Sequence, residues 1–335
     1  MAADPSPLDD MRDLLSRLPA PDSDAGAQTL AAFLRAAQRQ GRMGRIEEIA
    51  AWLSRWSGRS PPQVMRPLVA IFAGNHGIAV HGVSRHPVSA TAEMVELIAA
   101  GGAAVSQACV ANDLGLKVFD LALHLPTGDI TREAAFDARA CMATMAFGME
   151  ATAGNTDLLC LSGVGVGGST VAAALFAAVL GGAAADWVGG ERDCPDGPTR
   201  KRRIAAVEAV LAAHGAHLRD PLQALQYIGG REMAAIAGAI VAARVQKVPV
   251  LLDGTATLAA AAVLKAASPT ALDHCLLAAI PVDTGAARAA EMLNLRPLLD
   301  LEMRDGLATN AALAAGMVRT AARIAAGTAE AFPAR

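Results

Sequence analysis

The stretch DLLCLSGVGVGGSTVAAAL, residues 157–175, joins a short apolar run to an alanine-rich run through a glycine-rich turn. The apolar run predicts a buried strand, and the alanine-rich run predicts a helix. A turn of this kind presents backbone N–H groups at a helix N-terminus, where an anion is favoured. Two interpretations stay open: a phosphate site, or a tight turn that only lets the helix pack closely on a sheet. The residues concerned are Gly163, Gly165, Gly167, Gly168, Ser169 and Thr170.

Two common glycine-rich motifs do not fit this turn. A P-loop needs a lysine followed by serine or threonine after its last glycine, and none is present here. A dinucleotide fingerprint needs an acidic residue at the end of the next strand, and the expected spacing does not provide one. A phosphate site here would therefore be of another kind.

Four further apolar runs resemble the one that precedes the turn. Helical segments separate them, so strands and helices alternate along the chain. This pattern predicts an α/β fold: a mainly parallel, Rossmann-like sheet with helices on both faces. The predicted strands are 68–74, 116–123, 157–163, 248–254 and 275–280, and the predicted helical segments are 26–58, 89–112, 132–153, 170–181, 199–216, 230–245, 256–266 and 307–331.

The two ends of the chain differ from its middle. Residues 1–25 are rich in proline and aspartate, and we expect them to be loosely held. Both terminal helical segments lie outside the strand–helix alternation. We therefore expect a small helical domain from residues 1–58 with 307–335, and a large α/β domain from residues 59–306.

Polar residues follow the predicted strands, where ligands bind in open α/β sheets. His76 follows the first strand; we favour a structural role for it over a ligand role, because no geometry for a metal site is evident around it. Asp253 follows the fourth strand and could bind a sugar hydroxyl or cap the following helix, and capping is favoured. In the basic run 201–203, one side chain could reach a phosphate.

Bulk composition excludes several classes of protein. The 335 residues carry a formal net charge of −3 and only 3% aromatic residues, which argues against nucleic acid or an anionic membrane as a partner. No apolar run reaches the roughly 20 residues that span a bilayer, and the acidic N-terminus does not read as a signal peptide. The five cysteines form no C-x-x-C pair, so we expect a reducing cytoplasm and no zinc site.

With these segments in view, the chain resembles the nicotinate-nucleotide:dimethylbenzimidazole phosphoribosyltransferase family. The segments that carry the resemblance are FAGNHGIAVHGVSRHP, GVGVGGSTVAAAL, DPLQALQYIGGREMAAIAGAIVAAR, VPVLLDG, LDHCLLAA and LRPLLDLEMRDG. The resemblance implies a two-domain homodimer that needs no metal or cofactor. It also implies transfer of phosphoribosyl from nicotinate mononucleotide to a benzimidazole nitrogen, with nicotinate and α-ribazole phosphate as products.

The resemblance also implies roles for particular positions. The glycine-rich loop would hold the nucleotide phosphate through Gly165, Gly167, Gly168, Ser169 and Thr170. Arg203 would assist where the family has lysine. The base pocket would include His76, Ser84, Val88 and Leu307.

The chain departs from the family at several polar positions. Leu307, in MRDGLATNAAL, stands where the family has its catalytic glutamate, and the residues themselves indicate only a core or pocket-wall position. Gly163 replaces a second glutamate, Val88 a glutamine and Ala279 a histidine. Asp305, Asp283 and Asp253 are the acids that could act as base instead.

Two functional hypotheses follow. The first is a phosphoribosyltransferase of this family in which another acid serves as base. The second is a catalytically impaired paralogue that binds a nucleotide and acts as a sensor or a partner subunit.

Overall fold

Six parallel strands form one sheet at the centre of the molecule. The computed structural model describes residues 6–190, 196–304 and 306–333. The strand order is β2-β1-β3-β4-β5-β6, and every neighbouring pair is parallel. The strands are β1 (Pro67–Ala73), β2 (Gly115–Asp120), β3 (Leu158–Val164), β4 (Val250–Leu252), β5 (Cys275–Ala279) and β6 (Pro297–Leu299).

Helices cover the sheet, so the predicted α/β class is confirmed. Two 3-10 helices, Gly77–His81 and Glu150–Thr152, accompany the α-helices. The α-helices of the described residues are α1 (Asp9–Ser16), α2 (Ser23–Gln40), α3 (Arg45–Ser57), α4 (Ala90–Ala99), α5 (Ala104–Ala111), α6 (Ala138–Met149), α7 (Gly168–Leu180), α8 (Ala184–Trp187), α9 (Gly197–His214), α10 (Pro221–Ile228), α11 (Arg231–Val245), α12 (Thr255–Ala267), α13 (Thr284–Met292) and α14 (Thr309–Ala331).

Alternate residues of the central strands belong to two apolar cores, one on each face of the sheet. On β1, Leu68 and Phe72 pack with α6, α7, α11 and α12, whereas Val69 and Ile71 face α3, α5 and α14. Because both faces are covered, β1 is buried along its whole length. This double burial explains why its sequence is continuously apolar and does not alternate with polar residues.

Two predicted helical segments are each split into two helices by glycines with positive φ. The segment 26–58 becomes α2 and α3, because Gly41 and Gly44 have φ of 77° and 54°. The segment 89–112 becomes α4 and α5, with Gly101 at φ 78° between them. By length and composition alone, Ala90–Ala111 is apolar enough to cross a membrane. Here both of its helices pack against β2.

The expectation that residues 1–25 are loosely held is wrong for the part of them that the structure describes. Helix α1 places Leu8, Met11 and Leu15 in the core that includes α10. On its outer side, Arg12 binds Asp220 at 2.8 Å. The apolar residues at positions 8, 11 and 15 follow helical spacing, and the nearby prolines and aspartates obscured this signal.

The long C-terminal helix α14 connects the N-terminal helices to the sheet. It packs against α2 and α3 and also against β3 and β5. The N-terminus of α14 therefore lies close to the carboxyl ends of the strands, where the site described next is found.

Candidate phosphate and nucleotide site

The sheet has a topological switch point between β1 and β3. From β1 the chain moves to β2 on one side, whereas β3 and the later strands continue on the other side. A crevice outside the carboxyl ends of the strands forms at such a point. His76 follows β1, and the glycine-rich turn follows β3, so the sequence places both at this crevice.

The backbone of the glycine-rich turn requires glycine at two positions. A Cβ atom at Gly165 would lie 2.1 Å from the carbonyl oxygen of Gly74. Gly167, the N-cap of α7, has φ 91°, which L-residues with a side chain rarely adopt. The amide of Val166 donates to Thr91 Oγ of α4 at 3.1 Å. The turn is therefore closely packed against its neighbours and has a fixed shape.

A cavity of about 430 Å³ opens above this turn, at the carboxyl ends of β3, β4 and β5. This volume lies within the range of small-molecule sites. Gly165, Gly168 and Ser169 line one side of it, and Arg203 of α9 lines the same cavity. The first turn of α7 and a guanidinium group thus face one space, which is a favourable arrangement for a phosphate.

Arg203 is positioned by the segment that follows β1. Its Nε donates to the carbonyl oxygen of Val83 at 2.7 Å. The neighbouring Arg202 instead donates through Nε to the carbonyl oxygen of Gly82 at 2.8 Å and does not line the cavity. Of the four basic residues in the first turns of α9, residues 200–203, Arg203 is therefore the one at the cavity.

The predicted phosphate residues divide into three groups. Gly165, Gly168, Ser169 and Arg203 line the cavity. Gly167 shapes the turn without lining it. Thr170 is buried behind the turn, and its Oγ has no hydrogen-bond partner among the described residues.

Leu307 lies in the wall of the same cavity. Its side chain is 7% exposed and belongs to the apolar core that includes Ala308 and Ala311. Ala308, the N-cap of α14, has φ 67° and provides no side-chain cap. The interpretation of Leu307 as a core or pocket-wall residue is confirmed.

Two of the three acids that could replace the family's glutamate accept hydrogen bonds from backbone amides at helix N-termini. Asp253 Oδ2 accepts from the amide of Ala311 at 2.9 Å, so this bond is to α14, not to the following helix that was expected. Asp283 is the N-cap of α13 and accepts from the amide of Ala286 at 2.9 Å. Both also line the cavity. Asp305 lies outside the described residues.

The expected base-pocket residues are not all brought together. Ser84 and Val88 are half-buried residues of the segment between the 3-10 helix and α4, and they are absent from the cavity lining. Met94 of α4 takes part in the lining instead. His76 is fully buried under the glycine-rich turn, where a Cβ at Gly165 would lie 3.0 Å from its Nε2.

His76, for which the sequence favours a structural role over a ligand role, does not line the cavity. Its Nε2 lies 3.0 Å from Glu232 Oε1, at ion-pair distance. The bond is not aligned, however, so neither ring nitrogen has a hydrogen-bond partner within the described chain. Glu232, in the first turn of α11, also lines the cavity. The sequence gives no signal for Glu232, because an acid in the first turn of a helix is an ordinary feature.

Together, the parallel α/β sheet, the glycine-rich turn at its switch point and Arg203 form an arrangement that suits a phosphorylated small molecule. A family model described as Phosphoribosyltransferase matches residues 18–334, and the chain belongs to this family.

Several relatives match almost the whole chain. A nicotinate-nucleotide–dimethylbenzimidazole phosphoribosyltransferase of Rhizobium etli is 55% identical over 323 residues, which are 96% of this chain and 95% of the relative. One of Sinorhizobium fredii is 56% identical over 322 residues, again 96% and 95% of the two chains. A crystal structure of the enzyme from Thermus thermophilus superposes with a TM-score of 0.82 at 30% identity, covering 91% of this chain and 96% of that one.

Proposed function

We propose that this chain transfers the phosphoribosyl group of nicotinate mononucleotide to a benzimidazole-type base. The products are nicotinate and α-ribazole phosphate. The names of the Rhizobium and Sinorhizobium relatives, at 55% and 56% identity over nearly full length, support this reaction.

The observation that carries the proposal is that the glycine-rich turn and Arg203 line the same cavity. Gly168 and Ser169 begin α7, and the N-terminus of a helix favours a negative charge. Arg203 adds a full positive charge at the same cavity. A nucleotide with its 5′-phosphate at this end would extend its ribose and nicotinate toward β4, β5 and Leu307.

The reaction breaks one N-glycosidic bond and forms another. The benzimidazole nitrogen attacks C1′ of the ribose as the bond from C1′ to the nicotinate nitrogen breaks, and its electron pair leaves with nicotinate. The attacking base then releases the proton of its second nitrogen. A carboxylate within reach can accept that proton, and Asp253 and Asp283 are acids at the cavity. Leu307 has no atom that can accept it.

Nicotinate release is the readout that tests this function. The chain is incubated with nicotinate mononucleotide, with and without 5,6-dimethylbenzimidazole, and the products are separated by chromatography. We expect nicotinate and α-ribazole phosphate in equal amounts, and only when the base is present. Nicotinate released equally without the base would indicate hydrolysis and would contradict the proposal.

The oligomeric state and location are part of the same proposal. We expect a homodimer that acts in the cytoplasm without a metal or cofactor. Four cysteines of the described chain are buried thiols, namely Cys109, Cys141, Cys160 and Cys275. Burial raises the pKa of Cys109 to about 11 and that of Cys141 to about 12, which makes these thiols unreactive.

A further inference from the structure

Glu232 is a buried acid in the wall of the cavity. Among the described residues, its carboxylate neither caps a helix nor pairs with an arginine or a lysine. The residue is 1% exposed, and neither carboxylate oxygen has a hydrogen-bond partner among the described residues. Buried polar groups are nearly always paired, so an unpaired carboxylate at a cavity indicates a missing partner. The other two carboxylates in the described lining, Asp253 and Asp283, accept from backbone amides.

Glycines surround the buried side chain of Glu232 at close range. A Cβ at Gly74 or Gly230 would lie 2.6 Å from Oε2, and one at Gly163 would lie 3.1 Å from Cγ. Side chains at these positions would fill the space around the carboxylate. His76 Nε2 lies 3.0 Å from Oε1.

The carboxylate is also close to the phosphate end of the cavity. A Cβ at Gly168, the first residue of α7, would lie 3.5 Å from Glu232 Oε1. In a nucleotide the ribose is joined directly to the phosphate, so a phosphate at the first turn of α7 brings the ribose next to Glu232. The ribose hydroxyls can donate hydrogen bonds to such an unpaired carboxylate.

We propose that Glu232 binds the ribose of the phosphoribosyl donor, with its carboxylate accepting hydrogen bonds from the 2′- and 3′-hydroxyls. This inference rests on the proposed function, because it takes nicotinate mononucleotide as the ligand. It assigns ribose recognition to a residue of α11, separate from the residues that face the phosphate.

The variant Glu232→Gln tests the proposal with two ligands, nicotinate mononucleotide and inorganic phosphate. Calorimetric titration should give a dissociation constant for the nucleotide about 10- to 100-fold higher than that of the native chain, the range of one hydrogen bond to a charged group. Phosphate should bind equally well or better, because the variant removes a negative charge near the anion. Glu208→Gln, an exposed change on α9, is the matched control and should alter neither affinity.

Two outcomes with this variant overturn the proposal. An unchanged affinity for the nucleotide means that the contact is not made. Equal weakening of nucleotide and phosphate means that Glu232 only supports the fold of the site.

The native chain offers a second test that does not depend on a variant. Its affinity should be lower for the 2′-deoxy and 3′-deoxy analogues of nicotinate mononucleotide than for the ribonucleotide, and equal affinities overturn the proposal. If the native chain binds the ribonucleotide selectively but releases no nicotinate, the proposed reaction fails while this inference holds. If it does not bind the nucleotide at all, the inference fails too.

Discussion

Arg203 is the residue whose charge the proposed phosphate site should depend on most. Its guanidinium lines the cavity, whereas that of Arg202 does not, although each donates to a carbonyl of the same segment. We expect Arg203→Met to weaken binding of nicotinate mononucleotide by about tenfold or more, the value of one charge-assisted hydrogen bond. Titration of Arg202→Met provides the comparison and should match the native chain. Equal losses in the two variants would mean that Arg203 has no special role.

His274 gives a prediction for pH dependence. Burial, helped by the charge of Arg244, lowers its pKa to about 3, whereas the unfolded chain should show an ordinary value near 6.5. Below pH 6.5 the unfolded chain binds a proton that the folded chain does not. The free energy of unfolding therefore falls as pH decreases from 6.5 toward 3, by about 1.4 kcal/mol per pH unit from this residue.

The variant His274→Gln isolates that contribution. Glutamine can still donate to the carbonyl of Ile240, which His274 Nε2 contacts at 2.9 Å. We expect denaturant unfolding of the variant to show a shallower loss of stability between pH 6.5 and 4. His86→Gln, at an exposed position, should keep the native slope. A native slope in His274→Gln would refute the assignment.

At the residue scale, sequence patterns predicted the side chains that follow strands and missed those fixed by tertiary contacts. Gly165 and Asp253 follow predicted strands and Arg203 lies in a run of basic residues, so the sequence pattern alone indicates all three. Glu232 gives no such signal, because its importance depends on the distant His76 and on the glycines around it. Ser84 and Val88 came from the resemblance alone, and the structure leaves them outside the cavity lining.

Among the elements, α6 and α11 depend on glycine for their close packing. A Cβ at Gly148 would lie 1.8 Å from the carbonyl oxygen of Ala235, and one at Gly238 would lie 1.9 Å from that of Met145. Since both obstacles are backbone atoms, Gly148→Ala must push the helices apart. We expect a loss of about 3 kcal/mol or more in the free energy of unfolding, at the upper end for overpacked cores.

Gly327→Ala is the matched control for that change. Gly327 is in α14, and a Cβ there meets nothing within 4 Å. Replacing a helical glycine with alanine should stabilise the protein by about 0.5–1 kcal/mol. Thermal unfolding of both variants decides the point, and similar melting temperatures would disprove the close packing of α6 on α11.

The length of an element decided whether the sequence revealed it. The apolar runs of β1 to β5 and the long helices are visible as periodic or continuous patterns. β4 has only three residues but lies within the longer apolar run 248–252, whereas β6, with three residues, and α8, with four, lie in no such run. The short helices α10 and α13 lie outside every predicted helical segment. The segments 26–58 and 89–112 are split at glycines with positive φ, and hydrophobic periodicity does not predict the φ of a glycine.

At the scale of the whole molecule, we expect two copies of the chain to associate. Several large apolar side chains are exposed in the single chain, among them Met65, Val80 and Val110 at 70%, 77% and 78%. Light scattering should give twice the chain mass of 34.1 kDa at micromolar concentrations. A stable mass of one chain over that range would exclude the homodimer.

The overall architecture was predictable because strands and helices alternate along the chain in patterns that local sequence reports. The division into residues 1–58 with 307–335 and residues 59–306 remains a proposal. Helix α14 packs on both α2 and the sheet, and α1 packs into the sheet's own core. Such contacts join parts of the chain that are distant in sequence, so no local sequence pattern predicts them.

The central claim is that the glycine-rich turn and Arg203 hold the phosphate of a phosphoribosyl donor. A crystal structure of the chain with nicotinate mononucleotide tests it most directly. We predict the phosphate at the first turn of α7, within hydrogen-bond distance of the Ser169 amide and of the Arg203 guanidinium. A nucleotide bound with its phosphate away from this turn, or outside the cavity altogether, would contradict the account.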